Sequence, residues 1–244
     1  MSATSTPVSR PEQGVSAAAL RRRLEGSPFT AALMAELTDR RCQRVLDVAT
    51  ARLRGVTVVM ENLADPHNVA AVLRTAEALG VDRLHVVEQP NRWEKNKAIA
   101  KSADQWVDVV RHQGLARCLG DLSAEGFVLA AADVGSGCVP LSDLPCDRPL
   151  ALVFGSEHAG LSKRALSLTD IRFTIPMHGF VESFNVSVSA AVTLFDVTQR
   201  RRAFLRARGD LDLEEAAARA EQYLRRALKS PELIAELERR LKPS

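Results

Sequence analysis

The sequence predicts an α/β protein with a mostly parallel sheet, flanked by helices at both ends of the chain. Through the middle of the chain, short apolar runs rich in β-branched residues alternate with helical segments, the pattern of parallel strands joined by crossover helices. The segments before Gly55 and after Gly209 are helical in composition instead. With 244 residues, 46% of them hydrophobic, the chain can bury a substantial core.

The segment before the first strand is predicted to be a tail followed by three helices. Residues 1–16 are rich in Ser, Thr, Pro and Gly and are expected to be disordered. Residues 17–25 favour a short helix. Ser27, followed by a proline, is expected to start a second helix. Thr38 is expected to cap a third one, which runs to Gly55.

The middle of the chain, residues 55–208, is predicted to form the sheet domain. Its six predicted strands are VTVVMEN, RLHVVE, WVDVV, FVLAAAD, PLALVFG and IRFTIP. Pro66 and Gly80 delimit one predicted helix, and Ser162 caps another. Residues 89–105 are polar and predicted to be a loop with one short helix.

The last predicted helix of the sheet domain has an unusual composition. It begins near Asn185 and contains Val, Ser and Ala in its first turns. Val and Ser are mediocre helix formers, and Ser and Ala have small side chains. Packing against another backbone, or contact with a ligand, is therefore expected to set their identity. Residues 209–244 follow as a tail of two helices, LEEAAARAEQYLRRAL and PELIAELERRL.

Several functional classes are disfavoured. Aromatic residues make up only 5% of the chain, which argues against a stacking platform for single-stranded nucleic acid. Gly135 and Gly137 lack the third glycine of a dinucleotide-binding motif. The loop 155–160 has the glycine spacing of a P-loop, but Leu161 stands where the phosphate-binding lysine is required. The five histidines are scattered, so no metal site is predicted.

The cysteines and the chain ends bear on the compartment. None of the four cysteines is in a CxxC motif, so all are expected to be free thiols in a reducing compartment. The beginning of the sequence has no apolar signal-peptide core, and no apolar run is long enough to span a bilayer. A cytoplasmic location is expected.

Three stretches together resemble the motifs of a known family. They are ENLADPHNVAAVLRTAEALG (61–80), LVFGSEHAGLS (152–162) and IPMHGFVESFNVSVSAAVTLF (175–195). In this order and spacing they are similar to the motifs of the SPOUT superfamily, in the version carried by the TrmH (SpoU) RNA ribose 2'-O-methyltransferases. The resemblance implies an α/β fold with a C-terminal deep trefoil knot, S-adenosylmethionine as the cofactor, and a homodimer.

The resemblance also implies site residues. The catalytic positions that match are Asn68, Arg74, Glu157, Ser183 and Asn185. The implied cofactor contacts are Ala131, Gly155, Ile175 and Phe184. Arg74 is expected to be supplied across the dimer interface, either as the base or as a group that binds phosphate and stabilises the alkoxide. Glu157 and Asn185 could instead be helix caps, and Arg74 could instead be an arginine on a helix surface at the dimer face; these alternatives stay open.

The ends of the chain resemble those of the tRNA-modifying branch. This implies tRNA as the partner and guanosine 18 of the D-loop as the methylated nucleotide. The arginines expected to contact RNA are Arg40, Arg41, Arg44, Arg200, Arg201 and Arg202. Solvated helix faces are the alternative interpretation of these clusters. Two other functions stay open: methylation of a different RNA, and RNA binding without catalysis.

Overall fold

The computed structural model of the protein describes residues 14–63, 65–88, 105–156 and 159–241. Its seven strands are β1 (Val56–Glu61), β2 (Arg83–Val87), β3 (Asp108–His112), β4 (Val128–Ala132), β5 (Val139–Pro140), β6 (Leu150–Phe154) and β7 (Ile171–Thr174). They form one sheet in the order β3-β2-β1-β6-β4-β7-β5. Every neighbouring pair is parallel. The predicted parallel α/β sheet is confirmed.

Nine α-helices accompany the sheet in the described part of the chain. They are α1 (Ala17–Glu25), α2 (Pro28–Ala35), α3 (Asp39–Ala49), α4 (Pro66–Ala78), α5 (Leu115–Ala124), α6 (Lys163–Leu168), α7 (Val186–Leu205), α8 (Leu213–Leu228) and α9 (Pro231–Leu241). Among these described helices, none is both long and apolar enough to cross a membrane.

The two central strands, β1 and β6, are buried along almost their whole length. Helices α4 and α7 pack on one face of the sheet, where Leu73 and Leu194 join the main core. Helices α5 and α6 cover the other face, where Leu119 and Ala165 are buried. Because both faces are covered, these strands are continuously apolar rather than alternating.

The helices before and after the sheet domain share a second hydrophobic core. Leu20 of α1, Leu33 of α2 and Leu46 of α3 pack in the same cluster as Tyr223 and Leu224 of α8. The predicted extension 17–54 and tail 209–244 are therefore neighbours in space. Residues 1–13 of the predicted disordered tail lie outside the described residues. Ser16, the last residue of the predicted tail, caps α1.

Some predicted element boundaries were wrong. Helix α3 ends at Ala49 rather than near Gly55, and the side chain of Thr50 donates to the Leu46 carbonyl at 2.9 Å. Strand β3 begins two residues after Trp106, because the Trp106 carbonyl accepts hydrogen bonds from two side chains outside the sheet. The short edge strand β5 and a 3-10 turn after it were not predicted; two residues give too little periodicity. The predicted loop with a short helix lies largely outside the described residues.

One carboxylate joins three parts of the fold. Asp210, the second residue after Arg208, accepts hydrogen bonds from the backbone N–H of Arg54 at 2.5 Å and of Gly55 at 3.0 Å. Its Oδ2 also lies 3.5 Å from a guanidinium nitrogen of Arg201, and both side chains are buried. We call this the Asp210 junction. It fixes the start of β1 against the end of α7 and the entry to α8.

The helices before and after the sheet domain (α1–α3, α8 and α9) are called the helical unit below. Two further buried arginines hold the helical unit on the sheet. Arg219 of α8 pairs with Asp82, just before β2, at 2.7 Å and with Asp108 of β3 at 2.8 Å. Arg52, fully buried, donates to the carbonyls of Val81 and Trp106. Charges are stable inside a protein only when paired and hydrogen-bonded in this way. These contacts tie α8 to the edge half of the sheet.

The histidines are not all scattered in space, which corrects the prediction from sequence. The Nδ1 of His85 in β2 lies 2.9 Å from the Nε2 of His112 in β3, and the two rings stack. Cys118 of α5 completes a group whose ligand atoms lie within 4.8 Å of one another. The three residues lie apart in sequence, and parallel pairing of β2 with β3 brings the histidines together. As predicted, all four cysteines are free.

Candidate cofactor site and catalytic face

A pocket of about 380 Å³ lies at the carboxyl ends of β4, β6 and β7. Open parallel sheets bind ligands at this edge, where the strand order departs from the chain order. Its lining residues are Ala132, Asp133, Val134, Phe154, Gly155, Ser156, Ala159, Gly160, Leu161, Phe173, Thr174, Ile175, Met177, Ser183, Phe184, Val186 and Ser189. The volume falls within the range of small-molecule and cofactor sites.

The loop after β6 forms one wall of the pocket. Ser156 and Gly160 exchange two backbone hydrogen bonds of 3.1 and 2.9 Å, which hold these two residues of the loop together. A Cβ on Gly155 would lie 2.2 Å from the carbonyl carbon of Gly160, and 2.3 Å from the Leu161 nitrogen. No larger residue fits without moving the backbone. Gly155 is therefore required for the shape of this wall.

A carboxylate at the end of β1 holds the far end of the same loop. Glu61 accepts hydrogen bonds from the backbone N–H of Ser162 at 2.9 Å and from its hydroxyl at 2.6 Å. The Ser162 hydroxyl in turn accepts from the Ala165 N–H and caps α6, as predicted. Glu61 thus positions the loop against the sheet. The sequence analysis missed this role, although Glu61 opens the first motif.

Most of the predicted cofactor residues line the pocket. Gly155, Ile175 and Phe184 do so, and the predicted catalytic residue Ser183 lies beside Phe184. Ala131 does not: it is fully buried within β4, and the pocket begins one residue later at Ala132. The cofactor contact that the family resemblance implies for Ala131 stays a prediction.

The pocket also contains residues that the sequence analysis did not single out. Asp133 follows β4, and its carboxylate lies 3.6 Å from the guanidinium of Arg172 in β7. Next to it, burial and the Asp133 carboxylate raise the pKa of the Cys138 thiol, which favours its protonated form. Ser189 lines the pocket from the start of α7. The available signal for Asp133 was a polar residue at the end of the predicted strand FVLAAAD.

The remaining predicted catalytic residues occupy several places. Asn185 caps α7, accepting from the backbone N–H of Ser187 at 2.8 Å and from its hydroxyl at 2.6 Å. Asn68 is buried in the first turn of α4. Glu157 lies outside the described residues. The capping role of Asn185 is thus confirmed, and a catalytic role in addition stays a prediction.

Arg74 lies outside the pocket of its own chain. It is exposed on α4 and lines a separate groove between α4 and α7, together with His67, Ala191 and Phe195. The two sites share helix α7, since Ser189 lines the pocket and Ala191 lines the groove. Among the residues lining the pocket that the structure describes, none is an arginine or lysine.

The predicted RNA-contacting arginines fall into two groups. Arg40, Arg41 and Arg44 are exposed on α3 and share one shallow groove. Arg201 is 7% exposed, donates to the Cys146 carbonyl and belongs to the Asp210 junction. The prediction that it contacts RNA was wrong, because its charge is already paired inside the fold.

The neighbours of Arg201 are also engaged within the chain. Arg200 pairs with Asp196 at 2.6 Å and donates to the carbonyls of Leu141 and Leu144. Arg202 donates to the carbonyls of Ala51, Leu79 and Arg208, and burial lowers its pKa. A run of arginines at a helix end therefore serves here to satisfy the backbone carbonyls of neighbouring segments.

The fold and the pocket define an α/β protein with a cofactor-sized pocket at the carboxyl ends of its strands. The sequence profile of the SpoU rRNA methylase family matches residues 55–195, more than half of the chain. The protein belongs to the SpoU rRNA methylase family. The predicted family is confirmed.

Similar proteins agree with this assignment. A tRNA (guanosine(18)-2'-O)-methyltransferase of Thermus thermophilus is 36% identical over 182 residues, which cover 74% of this chain and 94% of the relative. A crystal structure of the TrmH/SpoU tRNA modifying enzyme of A. aeolicus has a TM-score of 0.70 at 24% identity, over 79% of this chain and 98% of that one, and shows the shared fold.

A third similar protein has the predicted cofactor bound. The SpoU methyltransferase AviRb from Streptomyces viridochromogenes, in complex with AdoMet, has a TM-score of 0.57 at 25% identity, over 65% of each chain. The pocket described above suits such a ligand. Ile175, Met177 and Phe184 offer apolar surface for a base, and Asp133 and Ser156 offer polar atoms for hydroxyl groups. The prediction of S-adenosylmethionine as the cofactor agrees with these findings.

The loop geometry predicts the effect of a single methyl group. Gly155→Ala should weaken binding of S-adenosylmethionine at least tenfold, because its Cβ forces the Gly160–Leu161 backbone into the pocket. Isothermal titration calorimetry measures the affinity. Gly120→Ala in α5 is the matched control, since a Cβ there meets nothing within 4 Å. Equal affinity of Gly155→Ala and the wild type would show that this wall does not touch the cofactor.

Proposed function

We propose that the protein transfers the methyl group of S-adenosylmethionine to a ribose 2'-hydroxyl of RNA, with tRNA as the substrate and guanosine 18 of the D-loop as the target. The observation that carries the substrate is the match to the T. thermophilus tRNA (guanosine(18)-2'-O)-methyltransferase over 94% of that protein. The pocket at the strand ends supports the cofactor. Methylation of another RNA and binding without catalysis are the competing functions.

The reaction makes simple demands on the chain. S-adenosylmethionine, when bound, supplies an electrophilic methyl on a sulfonium. The chain must align a ribose hydroxyl with that methyl, and it must remove the proton of the hydroxyl as the new O–C bond forms and the S–C bond breaks. Ser183 lines the pocket and Asn185 is held rigidly at the start of α7, so both are placed to orient the ribose.

Arg74 is suited to bind the phosphate next to the target ribose. A guanidinium keeps its proton and presents several donors in a plane, so it binds phosphate well and acts poorly as a base. The same positive charge stabilises an alkoxide as the proton leaves. Glu157, which matches the family motif, stays a predicted member of the site. It lies beyond the described residues.

A homodimer in which Arg74 reaches the pocket of the partner is supported by an uncovered apolar surface. Val188, Val192 and Phe195 lie on one face of α7 and are 45%, 40% and 61% exposed. Phe180 in the loop after β7 is fully exposed. Contiguous apolar surface of this kind is typical of an interaction site. The Arg74 groove includes Phe195, so the proposed interface contains the catalytic arginine.

The order of the last strands supports the proposed trefoil knot. Strand β6 inserts between β1 and β4, and β7 then inserts between β4 and β5, although all of these neighbours precede it in the chain. The tight backbone contact at Gly155 lies between these two insertions. A knot would place the cofactor between segments that are threaded past one another, which is rare in proteins.

Helix α3 is the proposed surface for the RNA backbone. Arg40, Arg41 and Arg44 are exposed, and none forms an ion pair within the part of the chain that the structure describes. Lys and Arg contacts to phosphates give affinity and position without reading sequence. Residues 17–54 are thus proposed to be the RNA-binding extension of the methyltransferase domain 55–208.

Arg74→Ala should lower the rate of methyl transfer to unmodified tRNA at least a hundredfold, with S-adenosylmethionine affinity within twofold of wild type, because only the RNA-side contact is lost. Transfer of a labelled methyl group measures the rate. Digestion of the product maps the nucleotide, expected to be guanosine 18. Arg117→Ala, an 88% exposed arginine on α5, is the control and should leave the rate unchanged.

Subunit mixing tests where Arg74 acts. A heterodimer of an Arg74→Ala chain and a Gly155→Ala chain should regain activity, because one intact pocket then faces one intact arginine across the interface. No recovery would place Arg74 in its own chain's site. Methyl labelling of rRNA but not of tRNA would show that rRNA is the substrate instead of tRNA. If the wild type binds the cofactor but labels no RNA, the methyl-transfer proposal fails and RNA binding without catalysis becomes the function.

Phe195→Glu should convert the dimer to a monomer, since it places a charge in the centre of the proposed apolar interface. Light scattering after gel filtration measures the mass, and circular dichroism checks that the helices remain. Phe204→Glu is the matched control: it is 40% exposed on the opposite face of α7 and should stay dimeric. An unchanged mass for Phe195→Glu would put the interface elsewhere.

Arg41→Glu should weaken tRNA binding and reduce the slope of log affinity against log salt by about 0.7–0.9 for the lost phosphate contact. Fluorescence anisotropy at several salt concentrations measures both. Arg117→Glu carries the same charge change on α5, within the sheet domain, and should leave the slope as in wild type. Equal slopes for both variants would show that the α3 arginines form a solvated helix face and do not contact RNA.

A further inference from the structure

The cluster formed by His85, His112 and Cys118 has no part in the proposed methyl transfer. It lies between the edge strand β3, its neighbour β2 and helix α5, while the cofactor pocket is formed by β4, β6 and β7 in the other half of the sheet. Its position therefore calls for a separate explanation.

The cluster is polar in an apolar environment. His85 is 4% exposed and Cys118 is fully buried, and the face covered by α5 is otherwise built from residues such as Val59, Val87 and Leu119. The Nε2 atom of His85 is buried and has no hydrogen-bond partner among the described residues. A buried polar atom without a partner is unfavourable and in native proteins requires an explanation.

We propose that His85, His112 and Cys118 bind a zinc ion that joins β2, β3 and α5. Two imidazoles and one thiolate are a ligand set that zinc prefers, and hard cations such as magnesium are disfavoured by the sulfur. Zinc lies about 2.0–2.1 Å from nitrogen and about 2.3 Å from sulfur. Ligand atoms already within 4.8 Å of one another reach that geometry by small side-chain rotations.

Binding changes the protonation of the cluster in a balanced way. The Cys118 thiol loses its proton to solvent and its sulfur bonds to the ion, because the thiolate is the metal ligand. His85 binds through Nε2, the atom without a partner, and His112 through one of its nitrogens; each ring is neutral and keeps its proton on the other nitrogen. The hydrogen bond between His85 and His112 is given up, and the ion takes its place in holding the two strands together.

The three side chains leave one position of a tetrahedral zinc site for a fourth ligand. Asp121 follows Cys118 by three residues on α5, so both side chains lie on the same face of the helix. Its carboxylate acts electrostatically on both His112 and Cys118, and its side chain is 60% exposed. It can therefore turn toward the ion, or leave that position to water. With three buried or half-buried ligands and one variable position, the ion's role is to fasten α5 onto the sheet.

The experiment uses the full chain, stripped of metal with a chelator and titrated with cobalt as a spectroscopic substitute for zinc. We expect one cobalt per chain and a sulfur-to-cobalt charge-transfer band. We also expect zinc to raise the melting temperature of the stripped protein. Cys118→Ser should abolish the charge-transfer band and the thermal shift. Cys42→Ser, which changes a buried cysteine in the helical unit, should keep both.

His112→Gln provides a second variant, since His112 is only half-buried on an edge strand and its replacement leaves the core intact. It should weaken cobalt binding at least tenfold. S-adenosylmethionine affinity should be the same with and without zinc, which separates this site from the cofactor pocket. A wild type without a charge-transfer band, or a Cys118→Ser or His112→Gln variant that binds cobalt as wild type does, would overturn the proposal.

Discussion

The Asp210 junction is the contact on which the arrangement of the whole chain depends. One buried carboxylate binds the backbone at the start of β1 and the guanidinium of Arg201 near the end of α7. A Cβ at Gly55 would lie 2.6 Å from Asp210 Oδ2, so a larger residue there would displace the carboxylate. The first strand, the last helix of the sheet domain and the helical unit are thereby fixed relative to one another. Loss of one partner would leave a buried charge unpaired, which typically costs about 3–5 kcal/mol.

The pocket depends on a second close contact, that between Gly155 and the Gly160–Leu161 backbone. Glu61 holds the other end of the same loop from the adjacent strand β1. Helix α7, whose start is capped by Asn185, closes the pocket with Ser189 and lines the Arg74 groove with Ala191. Small residues in the first turns of α7 serve both sites. This accounts for a helix with poor intrinsic propensity, because tertiary packing sets its sequence.

Charge in this protein divides into structural and exposed arginines, and sequence position does not separate them. Arg52, Arg201 and Arg219 are buried and donate to carbonyls or carboxylates. The three arginines of α3 are exposed and share a groove. Adjacent arginines at the end of α7 were interpreted as an RNA surface, but their partners are up to 151 residues away in the chain. Only the folded chain brings those partners together.

The sequence by itself determined the parallel α/β fold, most helices, and the loops that form the pocket, because periodicity, caps and glycines act locally. Ser162 and Asn185 cap their helices as predicted, and Gly155, Ile175 and Phe184 line the pocket. Two features are visible only in the folded chain: the buried role of Arg201, and the meeting of His85, His112 and Cys118. Each depends on which strands and helices are neighbours. That choice is made by burial of the whole sheet and leaves no local signal.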